Sequence, residues 1–153
     1  MASSVKARAS LALTATTALP PPEISDVVRH ATDSTKGGGK SLLTTGVANV
    51  GAHVHIERED LNQLALSITS GRRLVELCSF SAKMTVHGAA SSLRVGGLER
   101  YKTTQPKLFY VVPAGPKSIF GYDLYRRFLE AVSDGLQERD SGANVAIAQM
   151  AGD

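Results

Sequence analysis

His53-Val54-His55 is the clearest candidate for metal chemistry in this 153-residue chain. Two histidines at i and i+2 on a strand present their rings to one face, where both can reach a single ion. Glu57 and Glu59 come directly after, and Glu59 completes a His-x-His-x-x-x-Glu spacing. The competing reading is a polar strand face beside a loop. Gly37-Gly38-Gly39-Lys40-Ser41 matches the closing half of a phosphate-binding loop, G-x-x-x-x-G-K-[ST]. The first glycine of that pattern falls on Ser34, and no strand signal precedes it. The segment therefore reads as a glycine loop in solvent.

A third chemistry is electrostatic. Residues 72–127 carry ten bases against three acids, whereas residues 128–153 carry one base against five acids. The basic block reads mostly as strand, so it predicts a sheet with one basic face, and such a face favours a polyanion. Arg73, Lys83, Arg94, Arg100 and Lys102 would contact phosphates, which carry no sequence information. Tyr101 lies between two of these bases and is placed to stack on a nucleobase. Nothing in the sequence links serine, histidine and carboxylate into a catalytic set. There is no G-x-S-x-G, and Cys78 has no histidine arranged with it. No enzyme activity and no cofactor are expected.

The elements that must position these residues are read from hydrophobic periodicity. Val5 to Ala15 alternates at period two, so the N-terminus reads as a strand. Residues 1–22 contain no acid and are rich in Ser, Thr and Ala, so a cleaved organelle transit peptide or a flexible arm is the alternative. Pro20-Pro21-Pro22 reads as a stiff extended connector, and Glu23 to Ala31 as a short helix. Further strands are expected at Val47–Ile56, Leu61–Thr69 and 73–87, the last with Cys78, Phe80, Ala82, Met84 and Val86 on its apolar side. Gly88 to Ser92 reads as a loop, Leu93–Lys102 as a strand bent at Gly96-Gly97, and Lys107–Val112 as a central strand.

The period then changes to helical. Leu124, Tyr125, Phe128, Leu129, Val132 and Leu136 define a helix over residues 119–138, with Ser118 available as its cap. Residues 144–151 could extend as strand or helix. These signals predict a single α+β domain over residues 1–153: an antiparallel β-meander with a C-terminal amphipathic helix packed on one face. A small jelly-roll-like β-sandwich is the alternative. Aromatics are only 5% of residues and tryptophan is absent, so the core is thin. The helix face of Leu124, Tyr125, Phe128, Leu129 and Val132 is broader than a small sheet needs, which predicts an oligomer interface there. One cysteine excludes an intrachain disulfide, and no apolar run approaches a membrane span.

In layout the chain looks like the small RNA-phage coat proteins, with a meander of strands and then C-terminal helical structure. The resemblance is architectural and implies a self-assembling structural protein that holds RNA on a basic sheet face, in a virion or the cytoplasm. It would be a homo-oligomer with RNA as its partner and no small-molecule ligand. The spacing of His53, His55 and Glu59 resembles the first cupin motif, and Pro113-Ala114-Gly115 the start of the second. That resemblance implies a metal- or ligand-binding β-barrel, although Ser118 stands where the second motif's histidine belongs. An organelle-targeted small domain is the remaining alternative.

Overall fold

A computed structural model describes residues 5–35, 52–70, 75–104, 107–108, 112–113 and 117–150. Arg72, Arg73, Val47 and the Gly37–Ser41 segment lie outside the described residues.

The described residues open with one short helix, α1 (Val5–Ala9), and only then enter strand β1 (Leu11–Thr17). The expected strand is thus confined to its second half. Val-Lys-Ala-Arg-Ala satisfies period two, but alanine, lysine and arginine are also strong helix formers, so alternation alone does not discriminate. The helix is closed by Ser10, whose N–H reaches the carbonyls of Lys6 and Ala7 and whose hydroxyl donates to Ala7. Of the three prolines, only Pro20 is extended; Pro21 and Pro22 form the first turn of α2 (Pro21–Ser34). A missing N–H costs nothing in a helix's first turn, and the fixed φ suits it.

Four strands then form a meander: β2 (His53–Asp60), β3 (Gln63–Thr69), β4 (Glu76–His87) and β5 (Ala90–Gly96). The expected loop at Gly88 to Ser92 shrinks to the turn Gly88-Ala89, with Gly88 at φ +63°. The expected bend at Gly96-Gly97 is present. β5 stops at Gly96 and pairing resumes at β6 (Arg100–Tyr101), which sets Arg100 against Ser79 on β4. Gly96 has φ +93°, and a Cβ there would collide with the Tyr125 hydroxyl, so only glycine fits.

Short ladders come next. β7 (Thr103–Thr104) pairs with β10 (Ser118–Ile119), and β8 (Lys107–Leu108) pairs with β9 (Val112–Pro113). Lys107–Val112 is therefore not a central strand. Its start pairs with its own end, outside the main sheet. Helix α3 (Tyr122–Arg139) starts after Gly121 at φ +82°, not after Ser118, which is taken up by β10. Strand β11 (Asn144–Gln149) ends the described chain.

The main sheet is antiparallel in the order β11-β1-β5-β4-β3-β2, with β6 alongside β4. It is open, which sets aside the sandwich and barrel alternatives. Both long helices pack on one face, where Leu13, Leu64, Leu66, Ile68, Phe80 and Leu93 meet Ile24, Val28, Tyr125, Phe128, Leu129 and Leu136. The Phe80 ring stands 4.9 Å from Tyr125 and 5.5 Å from Phe128. Tyr125 buries its hydroxyl by donating to the Leu11 carbonyl, and burial pushes its titration upward. Gly135 lets the helices close on one another, since a Cβ there would lie 2.9 Å from Val27 Cγ1. Asp140, just past α3, accepts bonds from the Thr17 hydroxyl and the Ala18 N–H. Those donors favour its charged form and hold its carboxyl below the usual range. No helix among the described residues is long and apolar enough to cross a membrane.

The helix face expected at an oligomer interface is thus spent inside the protomer. Tyr125, Phe128, Leu129 and Val132 have no exposed surface, and Leu124 is buried as well. A second helix, α2, shares the covering of the sheet, so the apolar stripe has enough of its own sheet to bury.

Candidate nucleic-acid interface

The sheet face away from α2 and α3 carries mostly polar side chains, because alternation sends every second residue there. On β4 these are Ser79, Ser81, Lys83, Thr85 and His87; on β5, Ser92 and Arg94; on β1, Thr14 and Thr16. Ser67, Ser79 and Ser81 on this face are buried, however, and Ser81 donates to Glu99. Lys83 and Arg94 are directly opposite each other in the β4–β5 register, and both are exposed. Among the described residues neither has an acidic partner. Like charges facing across a strand pair destabilise the sheet unless an anion sits between them.

Arg100 is on the same face but is already engaged. Its guanidinium donates to Ser79 Oγ at 3.2 Å and pairs with Glu76 at 3.1 Å. Lys102 is exposed beyond β6 and has no ion-pair partner among the described residues. Tyr101 lies at the rim of a cleft of about 310 Å³ that it shares with Lys6, Ser10, Arg94 and Leu98. The Gly96-Gly97 bend makes this cleft possible. A Cβ on Gly97 would meet the Ala9 carbonyl at 2.6 Å, so glycine admits α1 against the bend, and Leu98 N–H bonds that carbonyl. Lys6 therefore joins Arg94 and Tyr101, a grouping the sequence does not disclose. As a strand residue, Lys6 would have no assigned neighbour; the turn of α1 swings it to the cleft. Arg73 lies outside the described residues.

The histidine set separates. His53 and His55 do share the polar face, with ring centroids 6.4 Å apart and planes perpendicular. His53 Nε2 is 3.3 Å from Thr69 Oγ1. The register of β2 on β3 shifts between Ile56 and Arg58, and this bulge reverses the phase of the strand's second half. Glu59 consequently falls opposite Leu64, on the helix side, and pairs with Arg29 of α2. Glu57 accepts from the Ser67 hydroxyl at 2.6 Å. Among the described residues no three metal-type donors converge. Cys78 is buried, and desolvation pushes its thiol up to about 12, aided by the nearby Glu76 carboxylate. That makes it a protonated core residue at neutral pH.

No family model matches the chain, and neither a curated protein nor a solved structure shows significant similarity to it.

Proposed function

We propose that this chain is a self-assembling structural protein of the small coat-protein kind, and that it holds RNA through phosphates on the polar face of its sheet. The observation that carries the reading is the facing pair Lys83 and Arg94, exposed and without an acidic counterpart among the described residues. The cleft beside Arg94 supports it further. Lys6 and Arg94 offer two cations, and Tyr101, 36% exposed, offers a ring for stacking. Around the pair, the exposed Thr16 and Thr85 and the half-buried Thr14 and Ser92 offer hydroxyl donors for backbone contacts, which need no base code.

The test is a salt titration of binding to single-stranded RNA. Each phosphate contact on a single strand contributes roughly −0.7 to the slope of log affinity against log salt. Replacing Lys83 and Arg94 together by Ala should flatten the slope by about 1.4, by the same rule. Binding to unrelated sequences should weaken alike. An unchanged slope in the double variant, or no RNA affinity at low salt, overturns the proposal.

A further inference from the structure

Among the described residues, the two edges of the main sheet are built differently. β2, at one edge, runs His-Val-His-Ile-Glu-Arg-Glu-Asp and contains a bulge. Charge and bulges are the usual devices that stop an edge from pairing. β11, at the other edge, runs Asn-Val-Ala-Ile-Ala-Gln, with no charge and no proline. Its register on β1 is unbroken from Gln149 opposite Leu11 to Asn144 opposite Thr16. Met150 N–H donates to the Ser10 carbonyl, which fixes the phase of the ladder. Antiparallel bonding alternates, so even-numbered residues aim their N–H and C=O at β1, and Val145 and Ile147 aim theirs outward. Met150, just past the strand, is 45% exposed.

We propose that β11 is an interface between two copies of this chain, paired antiparallel across a two-fold axis normal to the sheet. The inference rests on the self-assembly half of the proposed function and specifies its contact. Residues opposite one another must share a face, which restricts the register. Centring it on Ala146 sets the half-buried Val145 opposite Ile147 of the second copy, on the helix side. Ala146 then meets its own counterpart on the polar side, where nothing bulky intervenes.

This register also extends the polar face. Ala146, Thr14, Arg94 and Lys83 lie in one row across β11, β1, β5 and β4. The two-fold joins that row end to end with its copy. At 4.7–4.9 Å between strands, the two Arg94 positions would stand about 24 Å apart on one continuous face. A single RNA segment could then engage both basic pairs.

Cysteine cross-linking tests the register directly. Cys78 is buried, so Ala146→Cys supplies the one accessible thiol. Residues paired without mutual hydrogen bonds have Cα atoms about 4.5 Å apart, within reach of a disulfide. Under mild oxidation Ala146→Cys should give a linked dimer on a non-reducing gel. Ala148→Cys alone should give none, and should link only when mixed with Asn144→Cys. Ala146→Lys, at a position exposed in the protomer, should dissociate the pair, and mixing it with Ala146→Glu should restore it. A wild-type chain that sediments at monomer mass at high micromolar concentration overturns both the interface and the self-assembly reading. A multimer in which Ala146→Cys stays unlinked overturns the interface alone.

Discussion

Phe128 lies in the core, where α3 covers the sheet. Helical spacing marks it, with Tyr125, Leu129 and Val132, as part of an apolar stripe. It is fully buried against Phe80, on its own sheet. Periodicity reports that a face is dry; it carries no information about which surface dries it. Truncating Phe128 to Ala should therefore cost the protomer about 3–5 kcal/mol through lost burial and a cavity. Chemical denaturation at several protein concentrations checks this. An interface residue would instead leave monomer stability nearly intact and make the loss depend on concentration. The charged residues are legible in the same partial way. Alternation puts Lys83 on a wet face, and charge composition puts Arg94 in the same basic block. Their facing register requires the β4–β5 pairing, and the capture of Arg100 by Glu76 requires the bend after Gly96.

At the scale of elements, strongly periodic segments are readable and their ends are not. β4 and α3 keep the alternation and the stripe their patterns imply, because each has enough turns or alternations to average out exceptions. On β4 those exceptions are Ser79 and Ser81, buried on the polar side, and Val86, exposed on the apolar one. α1 and the run at Lys107–Val112 are too short for that, and tertiary pairing decides them. The bulge in β2 matters most for the site: one irregularity moves Glu59 from the histidine side to Arg29 on α2. Gly135 is a second element-level feature hidden in the sequence. A glycine inside α3 is unfavourable for the isolated helix by about 1 kcal/mol relative to alanine. It stands because Val27 of α2 presses against it. Gly135→Ala should gain that propensity yet lose more through overpacking, which typically costs about 1–3 kcal/mol. A net loss in denaturation midpoint is expected, and Val27→Ala should relieve part of it in the double variant. A stabilised Gly135→Ala protein would show that the helices are not in close contact there.

The molecule as a whole depends on a strand that composition alone assigns to a leader. Residues 1–22 lack acids, as a leader would, but their period-two alternation reads as a strand, and β1 sits inside the sheet, between β11 and β5. It pairs along its length with both neighbours and buries Leu11, Leu13 and Ala15 under the helices. Its Leu11 carbonyl also accepts the buried Tyr125 hydroxyl. Strands two places apart are separated by about 9.6 Å, twice the ordinary spacing, so β5 and β11 cannot bond each other across the gap β1 would leave. Burying one leucine is worth roughly 1.5–3 kcal/mol, against a total stability of about 5–15 kcal/mol for an ordinary domain. Losing two leucines, two ladders and the Tyr125 acceptor together should exceed that total. Deleting residues 2–16 should therefore abolish cooperative thermal unfolding and near-ultraviolet dichroism, and with β11 displaced it should abolish self-association too. A truncated chain that melts at the temperature of the intact one would make the first residues a removable arm, and the sheet would have to hold without its inner strand.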